Sequence, residues 1–205
     1  MIKYLILGPA GMGYYALLGA IHQLQESHKL QKLQEISGAS AGALLGFMYC
    51  LYRGNMKQCL EKSLDIDIES ITKINLQSFL NNYGFIDFMG IKNILQGLGG
   101  KNLTMRELFT YSKIKLHVAS YCVTEGKTVY FSADTHPSAL VADVLCASMA
   151  IPFIFSSVPI HDKLYVDGGL EEVIPATPFL NKKHEHVKAL EVNMKKETHV
   201  KDITS

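Results

Sequence analysis

The pattern of apolar and polar residues predicts alternating strands and helices in the first quarter of the chain. A short apolar run at residues 3–7 predicts a buried strand, and small residues follow it at 8–13. Apolar positions recur at helical spacing over residues 14–30. A second strand is predicted at 34–37, and a strongly apolar helix at 41–53. The order strand, loop, helix, strand, turn and helix predicts an α/β fold with a mainly parallel sheet.

The middle of the chain, residues 55–100, is more polar and predicts helices joined by short loops. Thr104 and Glu107 have the spacing of a capping box, which predicts a helix that begins at Met105 and runs to Tyr111. Strands are predicted at 116–122 and 128–132, and Glu125-Gly126 between them is typical of a hairpin turn.

The last third of the chain predicts a buried helix, a second hairpin and a final strand. The apolar helix is expected at 138–150, just before Pro152. The hairpin is expected to turn at 161–163, and the strand to occupy 187–192. The sequence contains no repeat, low-complexity segment or linker, so a single domain over residues 1–205 is predicted.

Composition and charge narrow the function. The chain has 205 residues, 48% of them hydrophobic, with a formal net charge of +1. A disordered or fibrous protein has a different composition, and nucleic-acid binding would be expected to need a basic patch. The sequence therefore predicts a globular domain that has no nucleic acid as its partner.

Neither a signal peptide nor a membrane span is predicted. Gly8-Pro9 interrupts the N-terminal apolar run after four residues, and the apolar stretch at 39–52 is shorter than a bilayer requires. The four cysteines are far apart, and three of them (Cys50, Cys122 and Cys146) lie in apolar stretches. We therefore expect a cytoplasmic protein with buried thiols. His184 and His186 are interpreted as a surface pair, and no metal site is predicted.

The sequence Gly38-Ala39-Ser40-Ala41-Gly42 has the G-x-S-x-G spacing and lies between a predicted strand and a predicted helix. Such a turn holds the serine in a strained conformation, while the glycines allow the strand and the helix to approach closely. The helix that follows directs its N-terminus at the serine, where negative charge would be stabilised. Ser40 is therefore the candidate nucleophile.

A serine hydroxyl needs a base to become a good nucleophile. A hydrolase triad would have serine, then an acid, then histidine, but His161 precedes the best acid, Asp167. The later histidines lie in a polar tail. Asp167 follows a predicted strand and precedes Gly168 and Gly169, which leave its carboxylate free to reach a shared cleft, although Asp-Gly is also a common turn.

Taken together, these motifs resemble the patatin-like phospholipases. The resemblance rests on the early loop of small residues, on Gly38–Gly42, on Ala147-Ser-Met-Ala-Ile-Pro-Phe-Ile-Phe, on Leu164-Tyr-Val-Asp-Gly-Gly and on Ile174-Pro175. These motifs occur in the expected order and span residues 5–178, most of the chain.

The resemblance implies a three-layer α/β/α fold and a serine esterase that cleaves lipid esters through an acyl-enzyme intermediate. Ser40 would be the nucleophile and Asp167 the base of a catalytic dyad without histidine. No metal or organic cofactor is implied. The substrate would be a lipid or phospholipid, so peripheral association with a membrane is expected, and some relatives require an activating protein partner.

The resemblance also implies an oxyanion hole in the loop from Gly8 to Gly13. Family members carry a run of glycines there, followed by a basic residue and another glycine. This chain has Gly8-Pro9-Ala10-Gly11, with no Lys or Arg at Met12 or Gly13. Pro9 has no N–H to donate. Ala10 and Gly11 are therefore the predicted donors, and a low rate or an altered head-group preference is expected.

Two other functions are compatible with parts of the sequence. A non-catalytic relative that binds lipid or a protein would account for the altered loop. A dinucleotide-binding protein would account for Gly11-Met-Gly-Tyr-Tyr-Ala16, with Glu35 as the acid that binds ribose, but it leaves Gly38–Gly42 unexplained.

An acyl channel is expected near four phenylalanines, although for any one of them the ordinary core is the favoured interpretation: Phe47, Phe79, Phe85 and Phe88.

Overall fold

A seven-stranded sheet with helices packed against it forms the centre of the molecule. The computed structural model describes residues 1–66, 84–100 and 102–192. The strands are β1 (Tyr4–Leu7), β2 (Glu35–Ala39), β3 (Gly84–Ile86), β4 (Lys115–Cys122), β5 (Lys127–Phe131), β6 (Phe153–Phe155), β7 (Val158–Ile160), β8 (Lys163–Asp167) and β9 (Val187–Leu190).

The helices are located close to where the apolar spacing predicts them. They are α1 (Tyr14–Glu26), α2 (Ala41–Leu51), α3 (Met56–Leu64), α4 (Met89–Leu95), α5 (Met105–Ser112) and α6 (Val141–Met149). Short 3-10 turns occupy Gly11–Gly13, Gly168–Leu170, Thr177–Phe179 and His184–His186, and a π-helical turn occupies Gln96–Gly100. The predicted capping box of α5 is present, with the Thr104 hydroxyl accepting from the Glu107 N–H.

One half of the sheet is parallel and the other half is antiparallel. Strands β9, β1, β2 and β4 pair in parallel, as the α/β pattern predicts. Both predicted hairpins, β4–β5 and β7–β8, are confirmed. The antiparallel pairing of β8 with β4 joins the second hairpin to the main sheet. Strands β3 and β6, which the sequence pattern does not reveal, form a separate two-stranded sheet.

Strand β4 has two partners along the same edge. Its residues from Lys115 to Ala119 pair with β2, and its residues from Ser120 to Cys122 pair with β8. Strand β5 pairs with both parts of β4 and therefore occupies the opposite edge. Strands β2 and β8 thus lie end to end, so that Ala39 is opposite Ala119 and Asp167 is opposite the next residue, Ser120. The carboxyl ends of β2 and β8 meet at this point.

Helix α2 is buried on almost every side. Nine of its eleven residues are buried, which explains why its sequence is apolar all round rather than along one stripe. Phe47, in this helix, is completely buried in the hydrophobic core. The helix therefore forms the base from which the residues at its N-terminus are positioned.

Two helices are shorter than the sequence pattern predicts. Helix α1 ends at Glu26 because the Ser27 hydroxyl donates to the Gln23 carbonyl (2.7 Å) and His28 adopts a φ of 56°. Helix α6 begins only at Val141, since the preceding residue, Leu140, is extended and forms a β-bridge with Thr104. In both cases contacts outside the apolar pattern set the helix end.

All four cysteines are free and buried, as three of them were predicted to be. Burial raises the pKa of the Cys50 thiol to about 12 and that of the Cys59 thiol to about 11. These thiols therefore stay protonated and unreactive at neutral pH.

Within the described residues, no helix combines the length and the apolar character that crossing a bilayer needs, and no cluster of metal-binding side chains is present.

Gly42 lies where helix α2 approaches the end of β1. A Cβ atom at Gly42 would lie 2.5 Å from the Gly8 carbonyl oxygen, which is too close for any real contact. The partner is backbone, so it cannot rotate away as a side chain could. A glycine at position 42 is therefore a packing requirement, and it lets the turn that contains Ser40 lie against the first loop.

We expect Gly42→Ala to destabilise the protein by about 1–3 kcal/mol, because the helix or the loop must shift. Gly19→Ala is the matched control. Gly19 is exposed within α1 and a Cβ there would meet no atom within 4 Å, so this change should stabilise by about 0.5–1 kcal/mol. Urea unfolding of both variants measures the difference, and equal stability would refute the packing argument.

Candidate active site

Ser40 occupies the sharp turn between β2 and α2. Its backbone has φ 52° and ψ −125°, a region that non-glycine residues rarely adopt and that costs on the order of 1–3 kcal/mol. Gly38 helps to make the turn possible, since a Cβ there would lie 2.8 Å from the backbone of Ala43. Ser40 is largely buried, yet it lines two cavities. The predicted nucleophile therefore lies in a strained turn at the carboxyl end of the sheet.

A second serine holds this turn in place. The Ser40 N–H donates to the Ser148 hydroxyl oxygen (3.0 Å), and the Ser148 hydroxyl donates to the Ala119 carbonyl (2.6 Å). Ser148 is fully buried in α6 and links the turn to β4. The sequence analysis included Ser148 only within a family motif. The available signal was a serine among apolar residues in the second half of this helix, where a buried polar group needs partners.

Asp167 ends β8 and is buried beside Ser40. Its Oδ1 accepts a hydrogen bond from the Gly169 N–H (2.7 Å). Burial raises the pKa of the Asp167 carboxyl above its ordinary value, and this effect outweighs the opposite influences of the Ser40 hydroxyl and the Gly169 N–H. Asp167 is therefore a better proton acceptor than an exposed aspartate.

The two glycines after Asp167 allow close contacts on both sides of it. A Cβ at Gly168 would collide with the Ala119 carbonyl of β4, and a Cβ at Gly169 would lie 2.9 Å from the Pro9 ring. The sequence Asp-Gly-Gly is thus more than a flexible turn. It places the carboxylate between strand β4 and the first loop.

The loop from Gly8 to Gly13 forms another wall of the site. The Gly8 N–H donates to the Leu190 carbonyl (3.0 Å) and the Gly13 N–H to the Ala10 carbonyl (2.7 Å), so neither is available to a ligand. In the described part of the chain, the N–H groups of Ala10 and Gly11 have no hydrogen-bond acceptor. These are the two residues that the sequence analysis predicts as donors.

Two cavities meet at Ser40. The first, of about 340 Å³, brings the predicted nucleophile, acid and donors together. Its lining comprises Pro9, Ala10, Gly11, Ser40, Ile151, Pro152, Asp167, Gly169, Leu170 and Val192. The second, of about 270 Å³, is lined almost entirely by apolar groups, among them Tyr14, Leu44, Ile91, Leu95, Met149 and Phe155. Among the described residues, no histidine lines either cavity.

Of the four phenylalanines proposed for an acyl channel, the two whose side chains are described line neither cavity. Phe47 is in the core, and Phe88 packs against the core without lining either cavity. Phe79 and the side chain of Phe85 lie outside the described residues. The apolar lining comes instead from other parts of the chain, including helix α4 and Ile151.

The dinucleotide-binding alternative is wrong. A ribose-binding acid would have to lie near the Gly11–Gly13 loop, at the carboxyl end of the sheet. Glu35 begins β2 and pairs with Tyr4, the first residue of β1, so it lies at the opposite end. Its Oε2 is hydrogen-bonded to His117 Nε2 (2.7 Å), which is the main reason that the pKa of Glu35 is lowered. Glu35 therefore belongs to an ion network far from the loop.

Comparison with known proteins agrees with this geometry. A family model described as patatin-like phospholipase matches residues 5–180. The chain is 26% identical over 197 residues to the probable lipid hydrolase 463L of Invertebrate iridescent virus 6, covering 89% of this chain and 66% of that protein. It is 25% identical over 169 residues to triacylglycerol lipase 5 of Saccharomyces cerevisiae, covering 76% of this chain and 22% of that protein.

Solved structures show the same fold. VipD from Legionella pneumophila superimposes with a TM-score of 0.69 at 18% identity, over 93% of this chain and 49% of that one. The type III effector ExoU of Pseudomonas aeruginosa superimposes with a TM-score of 0.52 at 12% identity, over 96% of this chain and 49% of that one. The chain thus spans about half of these structures and at most 66% of the two curated relatives. It has a patatin-like fold, and because the family model covers most of its length, it belongs to the patatin-like phospholipase family.

Proposed function

We propose that this chain hydrolyses acyl esters of lipids, with Ser40 as the nucleophile and Asp167 as its base. One observation carries the proposal. Strands β2 and β8 meet end to end along β4, which brings the strained Ser40 turn beside a buried carboxylate at the mouth of an apolar cavity. A turn with only a structural role would gain nothing from a strained backbone at Ser40 or from a buried carboxylate beside it.

The proposed reaction has two stages. Asp167 accepts the Ser40 proton as the hydroxyl oxygen attacks the ester carbonyl carbon, and the proton then passes to the departing alcohol. This leaves an acyl group on the Ser40 oxygen. Water, deprotonated by Asp167, attacks that acyl carbon and releases the fatty acid, and the proton returns to the Ser40 oxygen.

The first loop supports the negative charge that develops in both stages. The N–H groups of Ala10 and Gly11 lie in the same cavity as Ser40 and would bind the oxygen anion of each tetrahedral intermediate. The N-terminus of α2 begins directly after Ser40 and adds its positive dipole. A carboxylate as proton acceptor makes a metal or organic cofactor unnecessary.

The apolar cavity beside Ser40 supports a fatty acyl chain as the group that is cleaved. Its lining is almost wholly aliphatic and aromatic, so a charged or sugar-like acyl group would lose its hydration there without any compensation. The relatives named as a lipid hydrolase and a triacylglycerol lipase agree with this class of substrate.

A weakly active or inactive lipid-binding protein is the second candidate. The observation that favours it is Pro9, which lines the cavity and cannot donate a hydrogen bond where the family has glycine. The test below separates the two candidates, since a binding protein would not be acylated.

A fluorophosphonate probe should label Ser40, because the probe reacts with an activated serine without requiring the natural substrate. Mass spectrometry of the labelled peptide identifies the site. Ser40→Ala should abolish labelling, and Asp167→Asn should slow it by about 10²–10⁴-fold through the loss of the base. The matched controls are Ser138→Ala and Asp162→Asn, both at exposed positions, and they should label as the wild type does.

Labelling elsewhere than Ser40, or labelling that Asp167→Asn leaves unchanged, would overturn the dyad. If a folded protein stays unlabelled with phosphatidylcholine vesicles present, the binding-protein candidate is favoured. Labelling that appears only after addition of a cell extract would indicate the activating partner that the family resemblance predicts.

The pH dependence of ester hydrolysis should reflect the raised pKa of Asp167. Hydrolysis requires the ionised carboxylate, so the rate should fall as the pH drops through that pKa. The midpoint should lie above the ordinary aspartate value of about 3.9. Hydrolysis of para-nitrophenyl butyrate, which does not titrate in this range, measures it, and a midpoint at or below 3.9 would contradict the assignment.

Asp167→Asn should increase stability at neutral pH. The raised pKa means that the folded protein favours the protonated carboxyl, so the ionised form destabilises the fold at pH 7. Asparagine removes this charge and can still accept from Gly169. In urea unfolding, the extra stability of Asp167→Asn over the wild type should shrink as the pH falls through the Asp167 pKa. The control Asp162→Asn should have the same free energy of unfolding as the wild type. A less stable Asp167→Asn at pH 7 would contradict burial as the dominant influence.

A further inference from the structure

Exposed apolar side chains surround the cavity that contains Ser40 and Asp167. We use the term apolar rim for five residues that line this cavity or lie within two positions of a lining residue along the chain: Met12, Ile151, Phe153, Ile154 and Leu170. All five are large hydrophobic residues with exposed side chains, and Met12 and Phe153 are 81% and 72% exposed. Soluble proteins rarely leave such a cluster open unless another surface covers it.

The segments that carry four of the five residues of the apolar rim have no charged side chains. Residues 4–25 and 144–161 contain no Asp, Glu, Lys or Arg, although charged residues make up 19% of the chain. Leu170 differs, because Asp167 precedes it by three residues and the exposed Glu171 follows it directly. A surface that a charged protein or a nucleic acid covers would be expected to carry complementary charge. The composition of the apolar rim fits an uncharged, apolar environment.

Backbone geometry directs part of the apolar rim outward. The N–H groups of Ile154 and Phe155 both donate to the Ile151 carbonyl (3.2 and 2.9 Å), which forms a tight turn. Ile151 and Phe155 line the apolar cavity, while Phe153 and Ile154 between them are exposed. Phe153 has a φ of 67°, an outlier for a bulky residue, and its pairing with Gly84 holds it there.

We propose that the apolar rim docks onto the surface of a lipid bilayer, with Phe153 and Ile154 entering the interface. This rests on the proposed function, since an ester that leaves a bilayer must reach Ser40 without crossing water. Ile151 lines both the cavity at the dyad and the apolar cavity, so the docked surface leads directly to the acyl site. Leu180 is equally exposed but lies at the other end of the sheet, where its neighbour Phe179 packs on Tyr4.

The absence of tryptophan from the chain provides a clean reporter of docking. In Phe153→Trp the fluorophore should shift to shorter wavelength with phosphatidylcholine vesicles and should be quenched by brominated phosphatidylcholine. Leu180→Trp is the matched control, since that position is 68% exposed and lies at the opposite end of the sheet. It should show neither effect. Equal behaviour of the two variants, whether both respond or neither does, would overturn the proposal.

A polar double variant tests the consequence for binding and turnover. Phe153→Asn with Ile154→Thr places asparagine, which tolerates positive φ, at the strained position. Sedimentation with phosphatidylcholine vesicles should fall at least tenfold, and hydrolysis of vesicle lipid should fall with it. Hydrolysis of para-nitrophenyl butyrate and fluorophosphonate labelling should stay unchanged, which shows that the site is intact. Unchanged sedimentation would overturn the proposal.

Failure of the docking proposal and failure of the proposed function have different signatures. If wild-type protein neither hydrolyses the soluble ester nor labels, the proposed function fails, and the tryptophan shift still decides docking. If it labels and hydrolyses the soluble ester but Phe153→Trp shows no shift, only docking fails. If the double variant unfolds, Phe153→Trp and Leu180→Trp still decide whether the apolar rim docks. Both replace an exposed apolar residue with another apolar one, so they are expected to keep the fold.

Discussion

The shared edge of strand β4 determines the geometry of the candidate site. Strands β2 and β8 lie end to end on this edge, and their last residues, Ala39 and Asp167, pair with the consecutive residues Ala119 and Ser120. The spacing of that consecutive pair therefore sets the distance between the two strand ends. The Ala119 carbonyl also accepts the hydrogen bond from Ser148 that holds the Ser40 turn. A shift of β8 by one residue would move Asp167 away and turn its side chain to the other face. The relation of Ser40 to Asp167 is therefore a property of sheet register.

This arrangement has a cost in stability that other parts of the fold offset. Ser40 occupies a strained region of φ and ψ, and Asp167 carries its charge in a buried position. In the proposed function both features would serve catalysis at the expense of stability. Helix α2, which begins directly after Ser40, is almost entirely buried, and its packing against the sheet and neighbouring helices holds the turn that an isolated chain would avoid.

Local patterns predicted most of the helices and strands and the turn that contains Ser40, but they could not predict which distant segments pair. The capping box, both hairpins and the serine turn depend on neighbours within a few residues. The pairing of β8 with β4 and of β3 with β6 joins segments far apart, and apolar spacing contains no record of such partners. Ser148 and the cavity-lining residues of α4 were missed for the same reason. Phe47 lies in the core, which is the interpretation that the sequence favours for each of the four phenylalanines, because core and channel residues have the same composition.

Contacts with neighbouring segments order the first loop, although Pro9 has no N–H to donate. Pro9 contributes no N–H, but its ring packs directly against the Asp-Gly-Gly turn. A Cβ atom at Gly169 would lie only 2.9 Å from that ring. Both ends of the loop are fixed by contacts with β9 and the residues that follow it. The Gly8 N–H donates to the Leu190 carbonyl, and Gly13 packs against the Val192 side chain. In the proposed mechanism, Ala10 and Gly11 are thus held in place by their surroundings and do not depend on a flexible run of glycines. Preorganised donors stabilise an anion without reorganising during the reaction, so in the proposed mechanism the packing of Pro9 would help to order Ala10 and Gly11 even though Pro9 itself cannot donate.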